Sequence, residues 1–171
     1  MTDMRLPPAA ANASRATTEA EAQIIKSRGK ISPLYQLLLH SPPIATGWEA
    51  LLTAVRRKSA LAASLREMVI LRVAVLNKAP YEFDAHTPLA REAGLSDAKI
   101  LALGSGSLQP FDAREILVLE YCDVMTQQIH VSDELFARIR QQFDETGIVE
   151  LTATIAAYNM VSRFLEALHV R

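Results

Sequence analysis

Residues 65–100 read LREMVILRVAVLNKAPYEFDAHTPLAREAGLSDAKI, and the fold turns on this stretch. Its first part, from Met68 to Leu76, is apolar almost all round, with Arg72 the main exception. A helix written that way has no wet face and belongs in the middle of a bundle. Ser64-Leu65-Arg66-Glu67 fits a capping box, which predicts a central helix from about Ser64 to Asn77. Lys78-Ala79-Pro80 is a short break. Pro80 opens a second helix running to Ala93, and Gly94 suits the position just past its end. So short a connection predicts an antiparallel helix pair. Pro88 falls inside the second helix and is expected to bend it.

On both sides of this pair the punctuation is helical. A short helix is expected over Thr17–Ser27, stopped near Gly29. Ser32-Pro33 reads as an N-cap and first helical position for a helix through Leu34 and Leu39. Ser41-Pro42-Pro43 ends that helix and starts the next, which runs to about Arg57. Further helices are expected from Ser96-Asp97 to Gly104, from Asp112 to Gln128, from Ser132-Asp133 to Gln142, and from about Glu145 or Gly147 to Leu168. Only six glycines occur in 171 residues, and alternating β-branched runs are scarce. The fold class is all-α. Residues 1–15, rich in Ala, Pro and Ser, read as a mobile tail. Residues 16–171 then form one domain, with its core motif region at about 45–128.

Composition narrows the function. Eighteen Lys and Arg against nineteen Asp and Glu give a net charge of -1, so there is no basic footprint for nucleic acid. Half the residues are hydrophobic and 22% are charged, which argues against a disordered chain. One cysteine, Cys122, excludes an internal disulfide, a multi-cysteine zinc site and a two-cysteine redox motif. A cytoplasmic setting follows as the expectation. The uncharged run from Ile31 to Trp48 contains Pro33, Pro42, Pro43 and Gly47. The apolar end from Ile148 to Val170 carries Glu150, Arg163 and Glu166. Neither is written as a membrane span.

Glu82 and His86 stand out as a reactive pair. They are four apart, on one helix face continued by Leu89, Ala90 and Ala93. A carboxylate and an imidazole on a core-facing stripe must be hydrogen-bonded or have shifted pKa values. They could be a proton-transfer pair or a satisfied packing contact. Glu67, on the side of Leu71 and Ala74, could reach His86 across the helix pair, or serve only as the capping-box residue. Metal binding by these three is the weaker alternative, and no metal or other cofactor is expected. Cys122, within the apolar run Ile116–Met125, reads as a small buried hydrophobe. In the last helix Thr152, Asn159, Arg163 and Glu166 form a polar stripe. Arg163, Arg72, Asn159 and Tyr81 are the candidates for binding a small-molecule substrate. Either arginine could take a carboxylate by a two-pronged hydrogen bond, or be spent on an internal ion pair. His40 and His169 sit beside helix ends, where a solvated or capping role is expected.

The stretch quoted above, with LYQLLLHSPPIATGWEALL (34–52) and YNMVSRFLEALHV (158–170), resembles the carboxymuconolactone decarboxylase family, which includes the alkylhydroperoxidase D-like proteins. The resemblance covers roughly residues 33–171 and implies an all-α fold with a helical-hairpin core, assembled as a trimer or hexamer. The family's peroxidase members carry a Glu, a Cys-x-x-Cys and, after three further residues, a His. On this sequence the Glu falls on Glu67 and the His on His86, while the cysteine positions fall on Ala79 and Glu82. A thiol peroxidase needs one thiolate to attack and another thiol to resolve, so the disulfide cycle should be lost. The decarboxylase members, which work without cysteine or cofactor on small acidic lactones, are the better match. The resemblance implies His86 as acid/base, Glu82 as its partner or second base, and Arg72 or Arg163 as carboxylate anchor. Two other functions remain open: a redox protein using Cys122 or a partner thiol, and a non-catalytic helical oligomer that binds a ligand. Two nearly all-apolar helices, 68–76 and 148–168, also favour a homo-oligomer.

Overall fold

The computed structural model describes residues 4–170. The ends of the expected tail and domain, residues 1–3 and Arg171, lie outside them. The fold is all-α, with no strand among the described residues. Contacts divide the chain into two compact units, Met1–Lys58 with Leu165–Arg171, and Ser59–Phe164.

The first unit contains α1 (Arg15–Arg28), α2 (Pro33–Leu38) and α3 (Pro42–Thr53). The Ser14 hydroxyl accepts from the Thr17 N–H to start α1, and Gly29 at φ 79° closes it. Prolines occupy the first positions of α2 and α3, where their missing N–H costs nothing. The helix expected to run to Arg57 instead passes at Ala54 into a π-helical turn, Ala54–Lys58. The described part of the N-terminal segment is hydrogen-bonded into this unit. Arg5 N–H donates to Leu168 O at 3.1 Å and Ala9 N–H to Gln36 O at 3.0 Å.

The second unit is built around α4 (Ala63–Leu76). Met68, Val69, Ile70, Leu71, Val73 and Ala74 are each at most 1% exposed, on all sides of the helix. That burial needs neighbours all round, and they are α5 (Pro80–Glu92), α6 (Asp97–Ser105) and α7 (Ala113–Gln127). The chain continues through α8 (Asp133–Arg140) and α9 (Glu145–Leu168). Gly94 and Gly106, at φ 93° and 75°, follow α5 and α6 as left-handed terminators. α5 runs through Pro88 as one element.

Two readings of α4 need correction. Ser64 is not its cap. The helix starts one residue earlier, with Ala62 at the N-cap and no side-chain cap. The capping box is found instead on α7, where Asp112 and Glu115 satisfy each other's backbone N–H groups. Arg72 is no free anchor either. Its Nε and Nη2 donate to Asp123 at 2.7 and 2.5 Å, and Nη1 donates to Leu103 O at 3.2 Å. A half-buried guanidinium engaged on all three nitrogens ties α4 to α6 and α7. Arg72→Ala is expected to lower unfolding stability by about 1.5–3 kcal/mol, the range for hydrogen bonds to charged groups. Urea denaturation measures it.

Candidate functional site

The register of the α4–α5 pair decides the site. Glu67 lies on the first part of α4 and His86 on the middle of α5, and the tight Asn77–Ala79 connection folds them together. His86 Nδ1 lies 2.7 Å from Glu67 Oε2. The contact runs across the helix pair, while Glu82 stands one turn away on α5. Glu67 is 4% and His86 8% exposed, so little water competes for the bond. Glu67 Oε1 also has Arg66 Nε at 3.7 Å.

The other face of the imidazole meets α9. The Tyr158 hydroxyl is 3.3 Å from His86 Nε2, and the two rings stand edge to face with centroids 5.1 Å apart. With Glu67 ionised the carboxylate can only accept, which fixes the hydrogen on Nδ1. The neutral ring then offers Nε2 as an acceptor, and the Tyr158 O–H donates to it. The three groups form an ordered chain from carboxylate to imidazole to phenol. A proton arriving on Nε2 would create an imidazolium that the buried Glu67 carboxylate stabilises.

Glu82 sits beside this chain on the same face of α5. It is 2% exposed, and its Oε2 accepts a hydrogen bond from the Ser162 hydroxyl on α9. Ser162 Oγ also reaches Tyr158 O at 2.9 Å. Tyr158 and Ser162 are the two residues that sequence reasoning missed. They lie on the buried stripe Leu151, Ile155, Tyr158, Ser162, and their polar atoms are hidden in an otherwise apolar pattern. The available signal was that Tyr158 and Ser162 are four apart on the face that must meet the core.

The remaining candidates lie elsewhere. Asn159 is the hub of a different network: it accepts from Asn77 Nδ2 at 3.0 Å and donates to Thr126 Oγ1 at 3.0 Å. Arg163 is exposed, and its Nη1 donates to Asn159 O at 3.0 Å. Tyr81 is half-buried, and burial raises its phenol above the usual value. Thr152 accepts or donates at 2.8 Å with the Tyr121 hydroxyl. His40 Nε2 is 2.8 Å from Pro7 O. Among the described residues there is no group of three or more His, Cys, Asp or Glu that could hold a metal. No helix among them is long and apolar enough to cross a membrane.

Cys122 is 0% exposed, its sulfur 4.0 Å from Val69 O, and burial above all pushes its thiol well above the ordinary range. A buried, protonated thiol neither attacks peroxides nor meets a partner thiol. In the native protein Cys122 is therefore expected to resist a disulfide reagent such as dithiobisnitrobenzoate, and to react once in denaturant. Fast native labelling would overturn this.

Comparison with known proteins places the chain. Residues 42–121 match the model of the carboxymuconolactone decarboxylase family. The uncharacterized protein YdfG of Bacillus subtilis (strain 168) is 29% identical over 110 residues, 63% of this chain and 75% of that one. An uncharacterized peroxidase-related protein from Silicibacter sp. TM1040 superposes with a TM-score of 0.82 at 19% identity, over 100% of this chain and 94% of that one. The debrominase Bmp8, crystallised as a cysteine-to-alanine variant with 2,3,4-tribromopyrrole, gives a TM-score of 0.80 at 14% identity, over 99% of this chain and 93% of that one. At these identities the two structures establish the shared fold.

Proposed function

We propose that this chain, whose segment 42–121 belongs to the carboxymuconolactone decarboxylase family, is an acid/base enzyme that decarboxylates or isomerises a small organic acid or lactone without thiol chemistry. One observation carries the proposal: His86 is held between Glu67 at 2.7 Å and Tyr158 at 3.3 Å. His86 Nε2 is the atom that takes or returns the proton. Glu67 fixes the tautomer and offsets the positive charge as it forms. Tyr158 relays or replaces that proton. Glu82, held by Ser162, is the second carboxylate of the site and takes the role of auxiliary base. A decarboxylation leaves a carbanion that needs a proton, and an isomerisation needs one removed and one returned. One buried imidazole backed by a carboxylate serves both.

The same proposal makes the protein a cytoplasmic homo-oligomer, a trimer or hexamer. In its support, Leu101 and Val149 are 75% and 65% exposed in the single chain. The test uses γ-lactone carboxylates as substrates in deuterated buffer. Carbon dioxide release and deuterium uptake are followed by NMR for the wild type, His86→Ala and Cys122→Ser. Turnover is expected in the wild type and Cys122→Ser and lost in His86→Ala. Turnover that survives in His86→Ala, or disappears in Cys122→Ser while the fold is intact, would overturn the proposal.

A further inference from the structure

We infer that Lys78 is the anchor for the carboxylate of a small, largely apolar monoanion, bound in the groove at the α4–α5 turn. The groove holds about 360 Å³ and is walled mainly by Val75, Ala79, Pro80 and Phe83, with Lys78 and Asp84 as its charged groups. That volume suits a single ring, and walls of this kind receive an apolar body. Lys78 is exposed, and no carboxylate among the described residues lies within ion-pairing distance of its ammonium. A cation at the rim of an apolar groove, with no internal partner, is matched by a ligand carrying one negative charge at its edge. Asp84 opposes a second.

The backbone supplies an independent observation. Lys78 adopts φ 55°, the left-handed conformation of a helix terminator. Its N–H donates to Val75 O at 3.1 Å and that of Ala79 to Ala74 O at 2.9 Å. The left-handed residue after a helix is glycine at three places among the described residues, Gly29, Gly94 and Gly106. Where it is not, at Lys78, Ile129 and His169, only Lys78 borders this groove. At Lys78 the strained backbone and the groove coincide, so the side chain there has a use that glycine could not supply. The turn is also braced from below, since Asn77 bonds Asn159, which bonds Thr126 and accepts from Arg163.

The groove shares an element with the proton-transfer chain, since Pro80, Phe83 and Asp84 line it from α5. Ala79 is one of its walls, and Glu82 and His86 follow at i+3 and i+7 along the same face. The inference rests on the acid/base function only in taking the groove as that enzyme's substrate site.

The experiment is calorimetric titration of the full chain with benzoate and 5-oxotetrahydrofuran-2-carboxylate, against benzamide and γ-butyrolactone as uncharged counterparts. It covers the wild type, Lys78→Gly, Lys78→Arg, Asp84→Asn and His86→Ala. The carboxylates are expected to bind the wild type about tenfold tighter than the neutral compounds, as one charge-assisted hydrogen bond allows. Lys78→Gly should remove that preference while its melting temperature stays level or rises, because glycine relieves the left-handed backbone. Lys78→Arg should keep the preference, and Asp84→Asn should strengthen it. Three results would each overturn the inference: no binding by any probe, an undiminished preference in Lys78→Gly, or a loss there that only tracks a fall in melting temperature. His86→Ala separates the two claims. Lys78-dependent binding without any turnover leaves this site standing and removes the acid/base function. His86-dependent turnover with binding indifferent to Lys78 does the reverse.

Discussion

Replacing His86 by alanine is expected to lower turnover by about 10²–10⁴-fold, the range for one positioned acid/base group. An imidazole can both take and give a proton, one at each ring nitrogen. Glu67 and Tyr158 each contact it, at 2.7 and 3.3 Å, on opposite ring nitrogens. Neither replaces it, because without the ring the carboxylate and the phenol lose the group that links them. Glu67→Gln should fall in the same range. An amide keeps the shape but brings no charge to offset the imidazolium, and its NH₂ can donate to Nδ1 and so select the opposite tautomer. Tyr158→Phe removes the neutral hydrogen bond to Nε2 and should cost about two- to tenfold. Steady-state kcat and kcat/KM for the three variants, with circular dichroism to confirm folding, test the order. If His86→Ala matched Tyr158→Phe, the imidazole would be a packing group. If Glu67→Gln kept full activity, the ion pair would be structural.

The helical framework was legible because α4 is apolar on every side and can only be central. The antiparallel pair followed from the three-residue break at Lys78-Ala79-Pro80. His86 and Glu67 could be named for the same reason, as polar groups on core-facing stripes. Their pairing was harder to read. Ser64-x-x-Glu67 satisfies the local rule for a capping box, and Glu82 is the nearest carboxylate to His86 along the chain. The structure prefers the longer-range bond, since a buried imidazole N–H to carboxylate contact is stronger than a cap on an exposed helix end. Tyr158 and Ser162 were hidden because tyrosine counts as apolar in a periodic pattern, and a helical serine usually bonds its own preceding turn. Ser162 does that as well, through Tyr158 O. For Arg72 the choice between a substrate carboxylate and an internal ion pair stayed open for want of a visible partner. Asp123 is 51 positions away in the chain, and no local pattern points to it. The left-handed backbone at Lys78 was equally silent, because lysine carries no turn signature.

Replacing Glu49 by alanine is expected to cause the largest loss of stability, about 3–5 kcal/mol, the range for breaking a buried ion pair. Glu49 is 2% exposed in the first unit. It accepts from the Tyr35 hydroxyl at 2.5 Å, from Thr53 Oγ1 at 2.7 Å and from Arg28 Nε. The Arg28 guanidinium also stacks over the Tyr35 ring, 4.8 Å from its centre. Alanine would leave a largely buried cation and a 1%-exposed phenol without their common acceptor. The acid limb of stability follows from the same cluster. Burial alone would raise the Glu49 carboxyl, but hydrogen bonds from Ser27, Tyr35, Arg28 and Thr53 outweigh it and hold the group below the ordinary carboxylate value. A carboxyl that is more acidic in the folded state contributes stability that is complete above its unfolded value and is lost as pH falls through its folded one. The melting temperature of the wild type should therefore drop as pH falls below about 4.5, the ordinary carboxyl value, and that of Glu49→Gln should start lower and drop less. Parallel melting curves for the two proteins would sink the assignment if the slopes coincide. In that case other carboxyls set the acid limb, and Glu49 holds the first unit by packing and hydrogen bonding alone.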